Sequence, residues 1–572
     1  MKANTWKLFL IPVLTIFFLH SAPISAQYSS DIRIDKTNEH YEFGDWIGYS
    51  NSRFVNSIAI GTEYIYFATT GGITRYDFYN NTWNFPWTRC NGLASNHVIC
   101  VAYDEGTNAL WCSTPVGVSY YENFSKLWYN IYYENIGIDS DDFVLSIGFS
   151  SSDVWLQTAS GIYFRKTKNY GYFQNAGTNI FNQQEEILWF GRKAKSEADL
   201  PILFMNDGYL FDTQKQITDP NMRHYEVTYY VFDKWGYIWL ATWGLGAARA
   251  DTRTQQMDLL PFGIYQAHAT SLVFEDERDR MWIGGWQEDY DNYGSDFREQ
   301  NGVTLWDREE KMWKYFQSKY ISGFDNDLVN RIAIDDSKVW FATERSLNEF
   351  LQNRNRWYNY NQSDHLRSNL IYDVAIDDNY VWVATQAGID RMTKNSIHSD
   401  SAEVVRIAFD HLREVEVYDI DLAGDTLWAG TETGAYFYHI PSDSGDFFEG
   451  AFGPGTYPVT AVAAAPNAIW FGGENGIDAY DLQKKKWLPR PAQKNIQSRI
   501  NDIQATNDVV FVGTDDGVEK YDVLRQYWRH FTVEDGLLSN RVNEIRIRGD
   551  YVWFATNEGI CQFYWNNPMR ID

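Results

Sequence analysis

Near the end of the chain runs Leu537-Leu538-Ser539-Asn540-Arg541-Val542-Asn543-Glu544-Ile545, then, after a short turn, Val552-Trp553-Phe554-Ala555-Thr556-Asn557-Glu558-Gly559-Ile560. It reads as a loop, a short apolar strand, and a second strand centred on a tryptophan that turns at a glycine. Aligned on that aromatic, the sentence recurs at Tyr66, Trp111, Trp155, Trp189, Trp239, Trp282, Trp340, Trp382, Trp428, Trp470, Phe511 and Trp553, twelve units in all. The spacings fall mostly in the low to mid forties, the period of a four-stranded propeller blade.

Upstream of the aromatic, apolar residues stand three apart, as in Val55/Ile58, Val329/Ile332, Ile371/Val374, Val417/Ile420, Ile500/Ile503 and Val542/Ile545. A three-residue step fits neither strict alternation nor a long helix; it suits a short inner strand buried on both sides. After the aromatic comes Thr-x-x-Gly, at Thr69 to Gly72, Thr114 to Gly117, Thr385 to Gly388, Thr431 to Gly434, Thr514 to Gly517 and Thr556 to Gly559. Glycine there supplies the left-handed conformation of a tight hairpin. A tryptophan at each blade interface buries ~150 to 250 Å², so packing is a sufficient reason for the tryptophan column.

The expected fold class is all-β: two β-propellers of about six four-stranded blades each, because one propeller holds roughly four to eight blades. The last unit ends after its third strand, and Phe43-Gly44-Asp45-Trp46-Ile47-Gly48-Tyr49 reads as an outer strand without a blade. If the Trp46 strand completes the Trp553 blade, the first and last units share a ring. The expectation is then a nested arrangement, with residues 41–175 plus 450–572 as one propeller and 176–449 inserted as the other. Sequential propellers at 41–308 and 309–572 are the alternative.

Asn540-Arg541-Val542-Asn543-Glu544-Ile545 with Val552 to Ile560, Gly92-Leu93-Ala94-Ser95-Asn96, Asp535 to Asn540 and Asp516 to Asp522 resemble the two-component regulator propeller repeat. The resemblance covers about residues 41 to 565. It implies paired propellers like those in the exported sensor halves of hybrid histidine kinases and in stand-alone outer-surface proteins. After Ile560 neither a membrane helix nor a kinase follows, so the expectation is a stand-alone, kinase-free chain.

The first residues carry Lys2 and Lys7, an apolar run from Leu8 to Leu19, and the small-residue stretch Ser21 to Ala26. This pattern predicts a signal peptide of residues 1–26 and an exported chain, periplasmic or at the outer cell surface, without a transmembrane helix. Cleavage after Ala26 removes two lysines and no acid, moving the formal charge from -27 to -29. That balance argues against nucleic acid as a partner. Cys90, Cys100, Cys112 and Cys561 show no paired metal spacing. Cys100 and Cys112 fall on neighbouring strands, where a disulfide and buried free thiols are both compatible with the sequence.

Catalytic motifs are absent: no His-Glu-x-x-His, no Gly-x-Ser-x-Gly and no phosphate loop. The main irregular element is the insertion from Trp286 to Asn301 in the sixth unit, and long loops on rigid scaffolds often carry binding. Trp286, Asp289, Tyr290, Asp291 and Tyr293 are its candidate ligand-binding residues. Asp289, Asp291 and Gly294 hint at a calcium loop, but Tyr293 and Gln300 stand where ligands are wanted, so no metal or other cofactor is assigned. Asparagines heading the inner strands, Asn96 and Asn540 among them with Asn56, Asn330, Asn369, Asn501 and Asn543, either line a channel mouth or cap their own turns. The function expected is non-enzymatic recognition of a glycan or an envelope-protein partner. The alternative is a polysaccharide hydrolase or lyase built on Glu288, Asp289 and Asp291.

Overall fold

The computed structural model describes residues 32–33, 41–42, 44–180, 186–194, 199–286, 302–394, 404–406, 414–448, 457–474, 476–489 and 496–570. Among them the strands form eleven sheets, most of four antiparallel strands. Each sheet is named below by the aromatic of its second strand.

The twelve-unit count is corrected by one. The Trp189 stretch does not start a blade: its strand Leu188–Gly191 pairs antiparallel with the inner strand Val144–Phe149 of the Trp155 sheet, Trp189 lying opposite Gly148. Leu-Trp-Phe-Gly has the composition of a second strand, but among the described residues it pairs with no upstream apolar strand of its own, only with the inner strand of the Trp155 sheet. The Trp239 sheet is also enlarged, its seven strands including Gln216–Thr218 on the inner side of His224–Phe232.

Inner-strand neighbours place the sheets in two groups. Seven of them, Trp282, Trp340, Trp382, Trp428, Trp470, Phe511 and Trp553, follow one another around a ring that closes between Val542–Arg548 and His268–Glu275. The other four stand side by side in the order Trp239, Tyr66, Trp111, Trp155. The apportioning is thus seven and four, in place of six and six with breaks at 175 and 449 or at 308. Blade number is set by how widely the side chains between neighbouring sheets wedge them apart, a property no single repeat displays.

Strand Trp46–Tyr49 completes the Trp553 sheet from the other end of the chain, pairing Trp46 with Phe563, Gly48 with Cys561 and Tyr49 with Ile560. The Trp46 ring is buried and stacks on Phe563 with centroids 4.0 Å apart. Around it lie Cys90, Phe531, Leu537, Phe554 and Cys561 in one apolar cluster. The chain therefore leaves the ring after Tyr49, builds the four-sheet group, and re-enters the ring at His268.

Two local devices explain the repeat. In the Thr-x-x-Gly hairpins the threonine hydroxyl donates to the carbonyl of the residue three on, at 2.8 Å for Thr69, Thr431 and Thr556 and 2.9 Å for Thr114, Thr385 and Thr514. Gly559 has φ 129°, and a Cβ there would meet the Tyr49 carbonyl oxygen at 2.2 Å, so only glycine fits. The three-residue apolar step has a different cause from burial on both sides. In each ring sheet the pairing of first and second strands shifts register after the first apolar residue, as between Val329 and Arg331 or Val542 and Glu544. Each is a bulge that skips one residue, so the residue three on faces the same way as the first.

Candidate functional site

The skipped residues of the seven ring sheets are Thr270, Asn330, Tyr372, Tyr418, Thr460, Asn501 and Asn543. A bulge re-aims its side chain, and here all seven line one cup of about 320 Å³ at the mouth of the central channel. Most also stitch the ring. Asn330 Nδ2 donates to the Ile371 carbonyl at 2.7 Å, Thr460 Oγ1 to Ile500 at 2.6 Å, Asn501 Nδ2 to Val542 at 2.9 Å, and Asn543 Nδ2 to Ala269 at 2.7 Å, which closes the circle. Thr270 donates likewise to the Val329 carbonyl. At Tyr372 and Tyr418 the same position carries an aromatic ring, the two meeting edge-on with centroids 5.7 Å apart. Arg499, Arg541 and Trp286 complete the rim.

The floor of the cup is Arg331. Its guanidinium lies 3.0 Å from Asp502, 3.3 Å from Glu544, 3.8 Å from Asp419 and 4.0 Å from Asp373. A second guanidinium, that of Arg546, pairs with Glu544. Each carboxylate also accepts a backbone N–H from the next inner strand: Asp373 from Ile420 at 2.9 Å, Asp419 from Val462 at 2.6 Å, Asp502 from Ile545 at 2.7 Å and Glu544 from Leu272 at 2.6 Å. Burial raises the Asp419 carboxyl well above the usual range. It pushes Asp502 up to about 6 against the pull of Arg331 and Arg546, and Asp421, one step further along its strand, to about 6 as well. Burial opposes the charge on Arg331, but its four acidic neighbours outweigh that and raise its pKa. These acids are occupied in joining blades and holding Arg331.

A second cavity, of about 410 Å³, lies where the four-sheet group meets the ring. Asn51, Arg89, Asn96 and His97 line it from one side, and His268, Ser539, Asn557 and Glu558 from the other. His97 is shifted towards its neutral form by burial. Asn96 donates through Nδ2 to Glu558 and so bridges the groups. The two cavities share a wall: Asn557 lines both, and the His268 ring, facing the cleft, stacks on Trp286, which faces the cup, at 4.4 Å.

Of the sequence-derived candidates, Trp286 stands at the cup and Asn96 in the cleft. Asn540 lines neither. Its Oδ1 accepts from the Val533 N–H at 2.9 Å, as Asn96 does from Arg89 at 2.8 Å and Asn369 from Gln362 at 2.9 Å, each seven residues back. That is the turn-capping role. Asp289, Tyr290, Asp291 and Tyr293, with Glu288 and the calcium-loop positions, lie outside the described residues. Among the described residues no group of three or more His, Cys, Asp or Glu has metal-binding geometry. No helix among them is long and apolar enough to cross a membrane.

Tyr372, Tyr418, Arg331 and the four acids were not singled out from the sequence, though a signal exists. Tyr372 and Tyr418 directly follow Ile371 and Val417, the column that elsewhere holds Asn or Thr. The next column reads Ser271, Arg331, Asp373, Asp419, Ala461, Asp502, Glu544, polar at six of seven places in the middle of short strands whose other residues are mostly apolar.

Comparison with known proteins finds no matching family profile and no matching curated sequence. Among solved structures the chain is similar to the extracellular domain of the putative one component system BT4673 from B. thetaiotaomicron, at 15% identity over 90% of this chain and 70% of that one, TM-score 0.44. It is similar to PorZ, a surface component of the type-IX secretion system of Porphyromonas gingivalis, at 13% identity over 89% and 74%, TM-score 0.45. A third is the extracellular domain of the putative hybrid two component system BT3049 from B. thetaiotaomicron, at 13% identity over 93% and 77%, TM-score 0.42.

Proposed function

We propose that this chain is an exported, non-enzymatic binding protein that takes a glycan, or an exposed segment of an envelope protein, at the cup of the seven-sheet ring and in the adjoining cleft. The observation that carries this reading is the convergence of seven bulge side chains on one cup. The amides and hydroxyls of that column are held by backbone carbonyls, so the rim is fixed before a ligand arrives, and preorganisation lowers the cost of binding. Tyr372 and Tyr418 offer aromatic faces on that rim, suited to a sugar ring or an apolar side chain. The carboxylates beneath are spent on backbone N–H groups and Arg331, which leaves them poorly placed for acid–base chemistry. The exported location is supported by Lys2, Lys7 and the apolar run Leu8 to Leu19.

The test is binding of the purified protein to neutral and acidic oligosaccharide arrays and to an envelope extract, repeated with Tyr372→Ala and Tyr418→Ala. Loss of a well-packed contact in the cup is expected to weaken binding about tenfold, which corresponds to ~1.4 kcal/mol, with thermal unfolding little changed. Equal binding by both variants, or release of soluble products from a polysaccharide, contradicts the reading.

A further inference from the structure

The register of the Trp111 sheet first removes one pairing of cysteines. Cys100 lies opposite Ser113 and Cys112 opposite Val101. Cys100 and Cys112 thus occupy successive cross-strand positions, which point to opposite faces of the sheet. They pack accordingly, Cys100 with Val144 and Ile147, Cys112 with Val98 and Leu110. The other two cysteines, 471 residues apart, approach each other: Cys90 Sγ and Cys561 Sγ are 3.7 Å apart, and both residues are buried.

Each sulfur is positioned by its surroundings. Cys90 sits in the single turn Arg89–Asn91, capped by Thr88, whose hydroxyl accepts from the Cys90 N–H at 3.3 Å. Asn91 Nδ2 ties that turn to the Trp46 carbonyl at 3.2 Å. Cys561 is on the last strand of the ring, opposite Gly48. A Cβ on Gly48 would lie 2.6 Å from Cys90 Sγ. The missing side chain at Gly48 is therefore the opening through which the sulfur of the four-sheet group reaches the sulfur of the ring.

We propose that Cys90 and Cys561 form a disulfide in the exported protein, and that this bond fastens the four-sheet group to the ring at the Trp553 sheet. From 3.7 Å the sulfurs need only a small approach to reach bonding distance. The bond forms during folding, while the thiols are accessible, by exchange with a protein disulfide oxidant. One cysteine thiolate attacks a sulfur of the oxidant's disulfide, giving a mixed disulfide and releasing one oxidant thiolate. The second cysteine thiolate attacks the chain's own sulfur in that intermediate, closes the Sγ–Sγ bond and releases the oxidant as a dithiol, so two protons and two electrons leave the chain. Once the fold is complete, burial holds the Cys561 thiol protonated if it has not reacted. The proposal rests on the exported location in the functional reading for its oxidant, and it is independent of the ligand.

The experiment compares two preparations of the full chain: one exported into an oxidising compartment, and one refolded from denaturant in oxidised and reduced glutathione. Both are alkylated with iodoacetamide under denaturing conditions, digested without reductant and analysed by mass spectrometry. A Cys90–Cys561 linked peptide pair with alkylated Cys100 and Cys112 is expected from both. Four alkylated cysteines in both preparations, or a Cys100–Cys112 link in either, overturns the pairing. A link after refolding but free thiols in the exported protein overturns the disulfide as a feature of the exported state, while leaving ligand binding to be judged by the array. Gly48→Ala is expected to reduce the linked fraction, and dithiothreitol is expected to lower the melting temperature of the wild type but not of Cys90→Ser. Equal lowering in both contradicts the clamp.

Discussion

Replacing Arg331 with methionine removes a side chain that touches four acids of four different sheets. Asp373, Asp419, Asp502 and Glu544 then keep their backbone N–H donors, and Glu544 and Asp502 still feel Arg546, but the buried cluster loses its central cation. Breaking a buried ion network by removing one partner costs about 3 to 5 kcal/mol at neutral pH. The deficit is expected to depend on pH. The Asp502 and Asp421 carboxyls titrate at about 6 in the folded chain, above their unfolded range near 4. The folded state therefore holds protons more tightly, and stability falls as pH rises from about 4 through 6, by up to ~3 kcal/mol per group. Acidification from pH 7 to 5 accordingly stabilises the wild type through these groups. It stabilises Arg331→Met more, because protonation also relieves the charge that the arginine had balanced. Urea unfolding followed by tryptophan fluorescence at pH 7, 6 and 5 measures both effects. A variant within ~1 kcal/mol of the wild type at pH 7, or a deficit that widens on acidification, refutes the role given to Arg331.

Further outcomes follow from the clasp and the bulges. Trp46→Ala empties the site between Phe531, Phe554 and Phe563 and is expected to cost about 3 to 5 kcal/mol, with faster hydrogen exchange in Gly559–Tyr564 read by mass spectrometry. Asn543→Ala leaves the Ala269 carbonyl without its side-chain donor at the ring-closing junction, and should lower stability in urea by about 1 to 2 kcal/mol; Asn540→Ala should cost a similar amount through its turn while leaving ligand affinity unchanged in the array assay. Sequencing of the exported protein's N-terminus should begin at Gln27.

What was legible in the sequence is what local chemistry writes. Thr556 to Gly559 announces its hairpin because one hydroxyl and one left-handed glycine are enough to make it, and Trp553 announces a buried interface by its size. The unpaired Trp46 strand and the missing outer strand after Trp565 were each visible, and the structure pairs them. Trp189 misled because strand composition does not name a strand's partner. The ring size was hidden because closure is a sum over junctions such as Asn543 to Ala269, each alike in sequence. The Arg331 cluster was hidden for a related reason: its acids sit singly in separate repeats, and only the circle brings them together. The cup shows the same mixture, its asparagines noticed as a set and its tyrosines missed because they break that set's chemistry.

The most direct test of binding at the cup is a hydrogen-exchange footprint of the full chain with and without the best ligand from the arrays. Protection is expected at the starts of the ring's inner strands, around Thr270, Asn330, Tyr372, Tyr418, Thr460, Asn501 and Asn543, with the outer strands unchanged. Protection confined to outer strands such as Met312–Phe316 and Tyr527–Phe531, with the strand starts unaffected, would contradict it.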